Sequence, residues 1–209
     1  FSALTCLQQS IMNLGILMVQ GLVNSFGTTI MAAFAAAVKI DAFAYLPVQD
    51  FGNAFSIFTA QNYGAKQTER IKKGIRAALT ASVAFSLMVS FCVFVFAKPL
   101  MTLFINAEET AVIEEGVRYL HIEGAFYFLI GILFLFYGLY RALAKPGMSV
   151  VLTIASLGIR VALAYALSAI PAFGIAGIWW SVPIGWLLAD VLGTVYYFVK
   201  RKSLLRGGL

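Results

Sequence analysis

Long apolar runs, separated by short charged stretches, organise this 209-residue chain. The runs cover about residues 3–26, 31–61, 75–97, 117–139, 148–170 and 175–199. Each is about as long as the ~20 residues a helix needs to cross ~30 Å of hydrocarbon, so the pattern predicts six transmembrane helices. The second run can begin anywhere from Met31 to Asp41, which makes it either long or preceded by a short interfacial helix. The expected fold class is all-α: a polytopic membrane protein formed by one bundle of six transmembrane helices.

Composition agrees with this pattern. Hydrophobic residues make up 61% of the chain and charged residues 11%, with a mean hydropathy of +0.90; a soluble domain carries nearer ~25% charge. The net charge of +6 would suit nucleic acid on a soluble protein. Here, however, eleven of the fifteen basic residues fall in three gaps between runs or after the last one: five from Lys66 to Arg76, then Arg141 and Lys145, then four from Lys200 to Arg206. Basic residues collect in this way in cytoplasmic loops. The expectation is therefore a multi-pass protein of the cell (inner) membrane, in contact with membrane lipid, with both ends of this segment cytoplasmic and no nucleic-acid partner. Glu108, Glu109, Glu114 and Glu115 lie in a gap on the opposite side, and Glu123, 18 residues before Arg141, is expected at that outer boundary. Cys6 and Cys92 lie within apolar runs and read as small core residues. The chain starts at Phe1 directly in an apolar run, which predicts a fragment or a processed half.

The polar residues inside the runs are the candidates for chemistry. Gln9, Asn13, Gln20 and Asn24 project within ~60° of one another at ~100° per residue, so they share one helix face. That face is expected to look toward protein or water, the amides either bonding to neighbouring helices or lining a substrate path. In the second run Pro47 lacks an N–H and is expected to kink the helix near Gln49, Asp50 and Asn53. Tyr45, Gln49, Asn53 and Phe55 are candidate contacts for flat cationic compounds, since aromatic faces attract cations where water is excluded. In the sixth run Ser181, Gly185, Ala189 and Gly193 recur every fourth residue, a stripe that lets another helix approach closely.

Three charges fall near mid-membrane. Asp50 lies 12 residues before Asn62, Arg160 lies 12 after Met148 and Asp190 lies 10 before Lys200, which puts each about 15 to 18 Å deep at the helical rise. A lone charge at that depth is costly, so Arg160 is expected to pair with a carboxylate. The short turn between the last two runs makes Asp190 the expected partner and leaves Asp50 as the candidate coupling residue. The other arrangement pairs Asp50 with Arg160 and makes all three charges structural.

The stretch FGTTIMAAFAAAVKIDAFAYLPVQDFGNAFSIFTAQNYGAKQTERIKKGIR resembles the seventh and eighth helices of MATE (multidrug and toxic compound extrusion) family transporters, including the AQNYGA exit. YLHIEGAFYFLIGILFLFYGLYRALAKPGM is similar to the tenth helix and its loop, and GIAGIWWSVPIGWLLADVLGTVYYF to the twelfth. The resemblance implies a transporter of two six-helix lobes facing a central cleft, with this chain as the C-terminal lobe and an N-terminal lobe as its partner. It also implies a small-molecule substrate exchanged for H+ or Na+. NorM-type members carry acids in the seventh helix and midway along the tenth, whereas here the first run has none and the middle of the fourth reads FLIGILFLF. In DinF-like members the coupling carboxylate belongs to the N-terminal lobe, so the coupling ion stays open.

Three function classes compete. The first is half of a cation-coupled antiporter exporting amphiphilic, cationic compounds. The second is a lipid-linked saccharide flippase of the same superfamily, which needs charge along its cavity to hold pyrophosphate, whereas this lobe offers one mid-membrane arginine. The third is an intramembrane enzyme, which needs a nucleophile with a histidine at matching depth or a metal-binding pair. The one histidine, His121, is expected at the outer end of the fourth run, so no catalytic residue, metal site or cofactor is expected. A non-transporting membrane subunit is the remaining alternative.

Overall fold

The computed structural model describes residues 2–206, with side chains described from 6 to 205. Among the described residues there are seven helices and no strand: α1 (Ser2–Asn24), α2 (Thr28–Gly64), α3 (Thr68–Thr102), α4 (Thr110–Gly124), α5 (Tyr127–Ala142), α6 (Pro146–Ser168) and α7 (Ile175–Arg206). Five of these are long and apolar enough to cross a membrane, and α4 with α5 forms a further pair bent by 52° at a short break. Counting the bent pair as one crossing gives six.

Helix lengths exceed what a bilayer demands. At 37 residues α2 is ~55 Å long, so it must tilt or project beyond ~30 Å of hydrocarbon. It runs as one helix through Pro47, whose ring is exposed. The interrupted crossing lies elsewhere, where Ala125 and Phe126 leave helical pairing between α4 and α5. Gly27, at φ +99, and Gly174, at φ +49, adopt left-handed backbone in the turns before α2 and α7, a conformation that side chains resist.

The core is built where backbones approach. Helix α2 packs extensively on α5, and α6 on α7. A Cβ at Gly52 would lie 2.8 Å from the Phe134 carbonyl oxygen, so glycine is what lets α2 meet α5. The small-residue stripe of α7 is buried, with Gly185 against Ser156 and Arg160 of α6 and Gly193 against Phe136 of α5. On α3, Ser82, Ser86 and Ser90 form a buried stripe, and the first two lie against Gly131 of α5. Near the acidic end Phe34 stacks on Trp179 at 5.5 Å, with the Tyr119 ring edge-on to both. Trp179 Nε1 donates to Glu115 at 2.7 Å and joins α7 to α4.

The basic segments gather at one end of the bundle. The Thr68 hydroxyl at the start of α3 donates to the Leu205 carbonyl at the end of α7, at 3.3 Å. The two cysteines are corrected: Cys6 and Cys92 are both exposed on the bundle surface rather than in its core. An apolar run does not reveal which of its faces turns toward lipid, and a small residue suits either.

Candidate functional site

Asp41 and Tyr45 stand one turn apart on α2, so their side chains leave the same face of the helix. The bend between α4 and α5 wraps around that face. From α4, Tyr119 donates its hydroxyl to Asp41 Oδ2 at 2.6 Å, and from α5, Tyr127 donates to Oδ1. Tyr45 donates in turn to Oε1 of Glu123, the penultimate residue of α4. Both carboxylates are only 1% exposed. Glu123 Oε2 is buried and has no hydrogen-bond partner among the described residues.

Tyr119, Glu123 and Tyr127 recur every fourth residue, so their side chains share one face across the break. Tyr119 and Glu123 lie in the last turns of α4 while Tyr127 opens α5, with the 52° bend between them. The Tyr45 ring also sits edge-on to Tyr127 at 6.0 Å and to Trp186 of α7 at 5.8 Å, so the acids are roofed by aromatic surface. The Arg160 guanidinium of α6 is within electrostatic reach of Asp41, Glu123 and Tyr45, and its Nε is buried without a partner among the described residues. The two buried carboxyls thus have a cation in electrostatic reach but no ion pair to it among the described residues. Protonation of one acid, or a monovalent cation between them, would balance their charge. Among the described residues no three His, Cys, Asp or Glu side chains gather as a metal site would require.

Sequence reasoning missed this centre. It placed Glu123 at the outer boundary and named Asp41 as a possible start of the second run, and it did not see that both are buried within the bundle. Position along a helix does not tell whether a side chain turns to the surface or to the core of the bundle. The available signal was Asp41 and Tyr45 at i and i+4 beside the tyrosines and acid of YLHIEGAFY.

The expected Arg160–Asp190 ion pair is absent among the described residues, and this is a correction. Contacts of Gly177 with Leu167 and of Gly185 with Ser156 and Arg160 fix the antiparallel register of α6 and α7. Carried along both helices, that register sets Asp190 level with Thr153 and Arg160 level with Pro183. The two charges are thus about seven residues apart in height, or ~10 Å. Asp190 is 5% exposed, with neither carboxylate oxygen hydrogen-bonded among the described residues. Arg160 makes no ion pair with Asp190 or with the acid cluster among the described residues.

The remaining candidates divide between surface and core. Gln9, Asn13 and Asn24 are exposed and Gln20 is half-buried; Gln9 donates to Asn13 at 3.5 Å and Gln20 to Asn24 at 2.9 Å. Asp50 and Asn53 are exposed and Gln49 is half-buried, so Asp50 stays outside the buried acid cluster. Phe55 is corrected as a surface contact: it is only 6% exposed and belongs to the apolar core. Tyr45 is half-buried, with its hydroxyl committed to Glu123.

Six apolar crossings, one of them broken around buried acids, define a polytopic α-helical membrane protein. The MatE family model matches residues 4–166. The chain belongs to the MatE family. It is 28% identical over 187 residues to "Probable multidrug resistance protein YoeA" of Bacillus subtilis, covering 88% of this chain and 40% of that protein. It is 27% identical over 173 residues to a protein named "FAD transporter" of Shewanella oneidensis, covering 82% of this chain and 37% of that protein. The chain thus spans less than half the length of the curated relatives it matches.

Solved structures show the same fold. An outward-facing multidrug resistance MATE family transporter of the MOP superfamily superposes with a TM-score of 0.90 at 20% identity, covering 97% of this chain and 45% of that one. The bent form of the Vibrio cholerae MATE transporter VcmN gives 0.86 at 23% identity, covering 99% of this chain and 45% of that one.

Proposed function

We propose that this chain is the C-terminal lobe of a cation-coupled antiporter that exports amphiphilic, cationic compounds, partnered by an N-terminal lobe and lying in the cell membrane with its basic end cytoplasmic. The observation that carries the coupling is the enclosed Asp41–Glu123 pair with Arg160 in reach. Family membership supports transport, and relatives named for multidrug resistance support export. Coupling moves in this proposal from Asp50, which is exposed, to the buried pair. Taking up or releasing H+ or Na+ changes the charge inside the α4–α5 bend, and that bend is the element able to report occupancy to the rest of the bundle. The exposed amide face of α1, with Gln49 and Asn53 of α2, supplies the substrate-facing surface.

The test uses the natural full-length protein in proteoliposomes with an imposed pH or Na+ gradient. Asp41→Asn and Glu123→Gln should abolish gradient-driven efflux of a cationic dye at normal protein levels, whereas Asp50→Asn should retain it. Loss with Asp50→Asn alone would return the coupling role to that residue. A parallel arm with FAD, prompted by the Shewanella relative, distinguishes an exporter of anionic dinucleotides from one of cationic dyes.

A further inference from the structure

At the basic end, the start of α3 and the end of α7 enclose a cavity of about 690 Å³ whose wall carries Lys72, Arg76, Arg201 and Lys202. Lys72 is held by Glu69 at 2.7 Å, leaving Arg76, Arg201 and Lys202 without an ion-pair partner among the described residues. The Arg201 guanidinium lies 5.8 Å from the centre of the Phe198 ring, which lines the same cavity. Topology accounts for basic residues at this end of the bundle. It does not account for four of them gathering around one hollow.

The hollow has a second part. Ile75, Leu79, Tyr197 and Phe198 line it and also line an adjoining cavity of about 230 Å³ that continues between α3, α5 and α7. That deeper part is walled by Phe55, Leu135 and Leu139, with Thr194 as a polar exception. Moving inward from the basic end, a cationic mouth passes into an apolar slot, as in a phospholipid an anionic headgroup passes into an acyl chain. A soluble anion would leave the slot unfilled, and a neutral lipid would leave three cations unmatched.

We propose that this groove is a binding site for an anionic diacyl phospholipid, with its phosphate held by Arg76, Arg201 and Lys202 and one acyl chain lying in the slot between α3, α5 and α7. Basic pockets between membrane helices attract acidic headgroups in this way. The bound lipid bridges two helices that otherwise meet at this end through the Thr68–Leu205 hydrogen bond, and so fixes the α3–α7 spacing.

The natural full-length protein is reconstituted in phosphatidylcholine vesicles containing traces of spin-labelled phosphatidylglycerol or spin-labelled phosphatidylcholine. The motionally restricted fraction of each probe is then measured by electron spin resonance. The phosphatidylglycerol probe should be preferred, and each change among Arg76→Gln, Arg201→Gln and Lys202→Gln should lower that preference roughly fivefold. Thr194→Trp, which fills the slot without changing charge, should also release the probe. Lys66→Gln and Arg70→Gln, at the same end but outside the groove, should leave it bound. Equal loss with these two controls would overturn the proposal, because general surface charge would then explain the preference. Retention by Thr194→Trp, or complete displacement of the probe by inorganic phosphate, would reduce the site to an anion patch and overturn it as well.

Discussion

Tyr127 donates its hydroxyl to Oδ1 of Asp41 from 86 residues further along the chain, and through that bond the first turn of α5 is tied to the middle of α2. Tyr119 makes the matching bond to Oδ2 from the other side of the bend. The carboxylate is therefore the pin on which the two halves of the broken crossing are mounted.

Removing either donor leaves a buried carboxylate oxygen unsatisfied. Tyr119→Phe and Tyr127→Phe should each cost about 1.5–3 kcal/mol, the range for hydrogen bonds to charged groups. Differential scanning fluorimetry in detergent should show a lower midpoint for each. The double variant should fall further, and no loss in either single variant would mean that Asp41 does not depend on these hydroxyls.

Arg160 and Glu123 should show energetic coupling. Arg160→Gln removes the cation within reach of both acids, so its cost should be smaller in a Glu123→Gln background than in the parent. A double-mutant cycle on unfolding midpoints should return an interaction of at least about 0.5 kcal/mol. Strict additivity would place Arg160 outside the cluster.

Asp190 gains nothing from its environment that offsets its burial, since neither oxygen has a hydrogen-bond partner among the described residues. Asp190→Leu, close in volume and without polar atoms, should therefore raise stability by about 1 kcal/mol or more, since a buried polar group without a hydrogen-bond partner costs about that much. A fall in midpoint on thermal unfolding would instead show that the carboxylate has a partner in the assembled protein.

Glycines should separate by what surrounds them. Gly52→Ala puts a methyl group 2.8 Å from the Phe134 carbonyl oxygen and should destabilise by about 1–3 kcal/mol. Gly21→Ala, within α1 and with nothing within 4 Å of the added carbon, should be neutral or stabilise by up to ~1 kcal/mol. Comparing the two unfolding midpoints tests the close approach of α2 and α5 directly.

The sequence by itself determined the class of molecule and its division into crossings. Hydropathy is summed along a contiguous stretch, and each apolar run must satisfy its backbone as a helix wherever it packs. The same local character made the basic segments and the stripe of Ser181, Gly185, Ala189 and Gly193 legible. Only the tertiary structure decided which polar groups meet. Asp41 gains its partners from 78 and 86 residues away, across a bend that no proline marks. The register of α6 against α7 carries Arg160 away from Asp190, although a count along each helix gives both the same depth. Helical rise measures position along one helix, whereas the contacts of a charge depend on the tilt, bend and relative sliding of several helices. Those are set by side-chain packing between segments far apart in the chain.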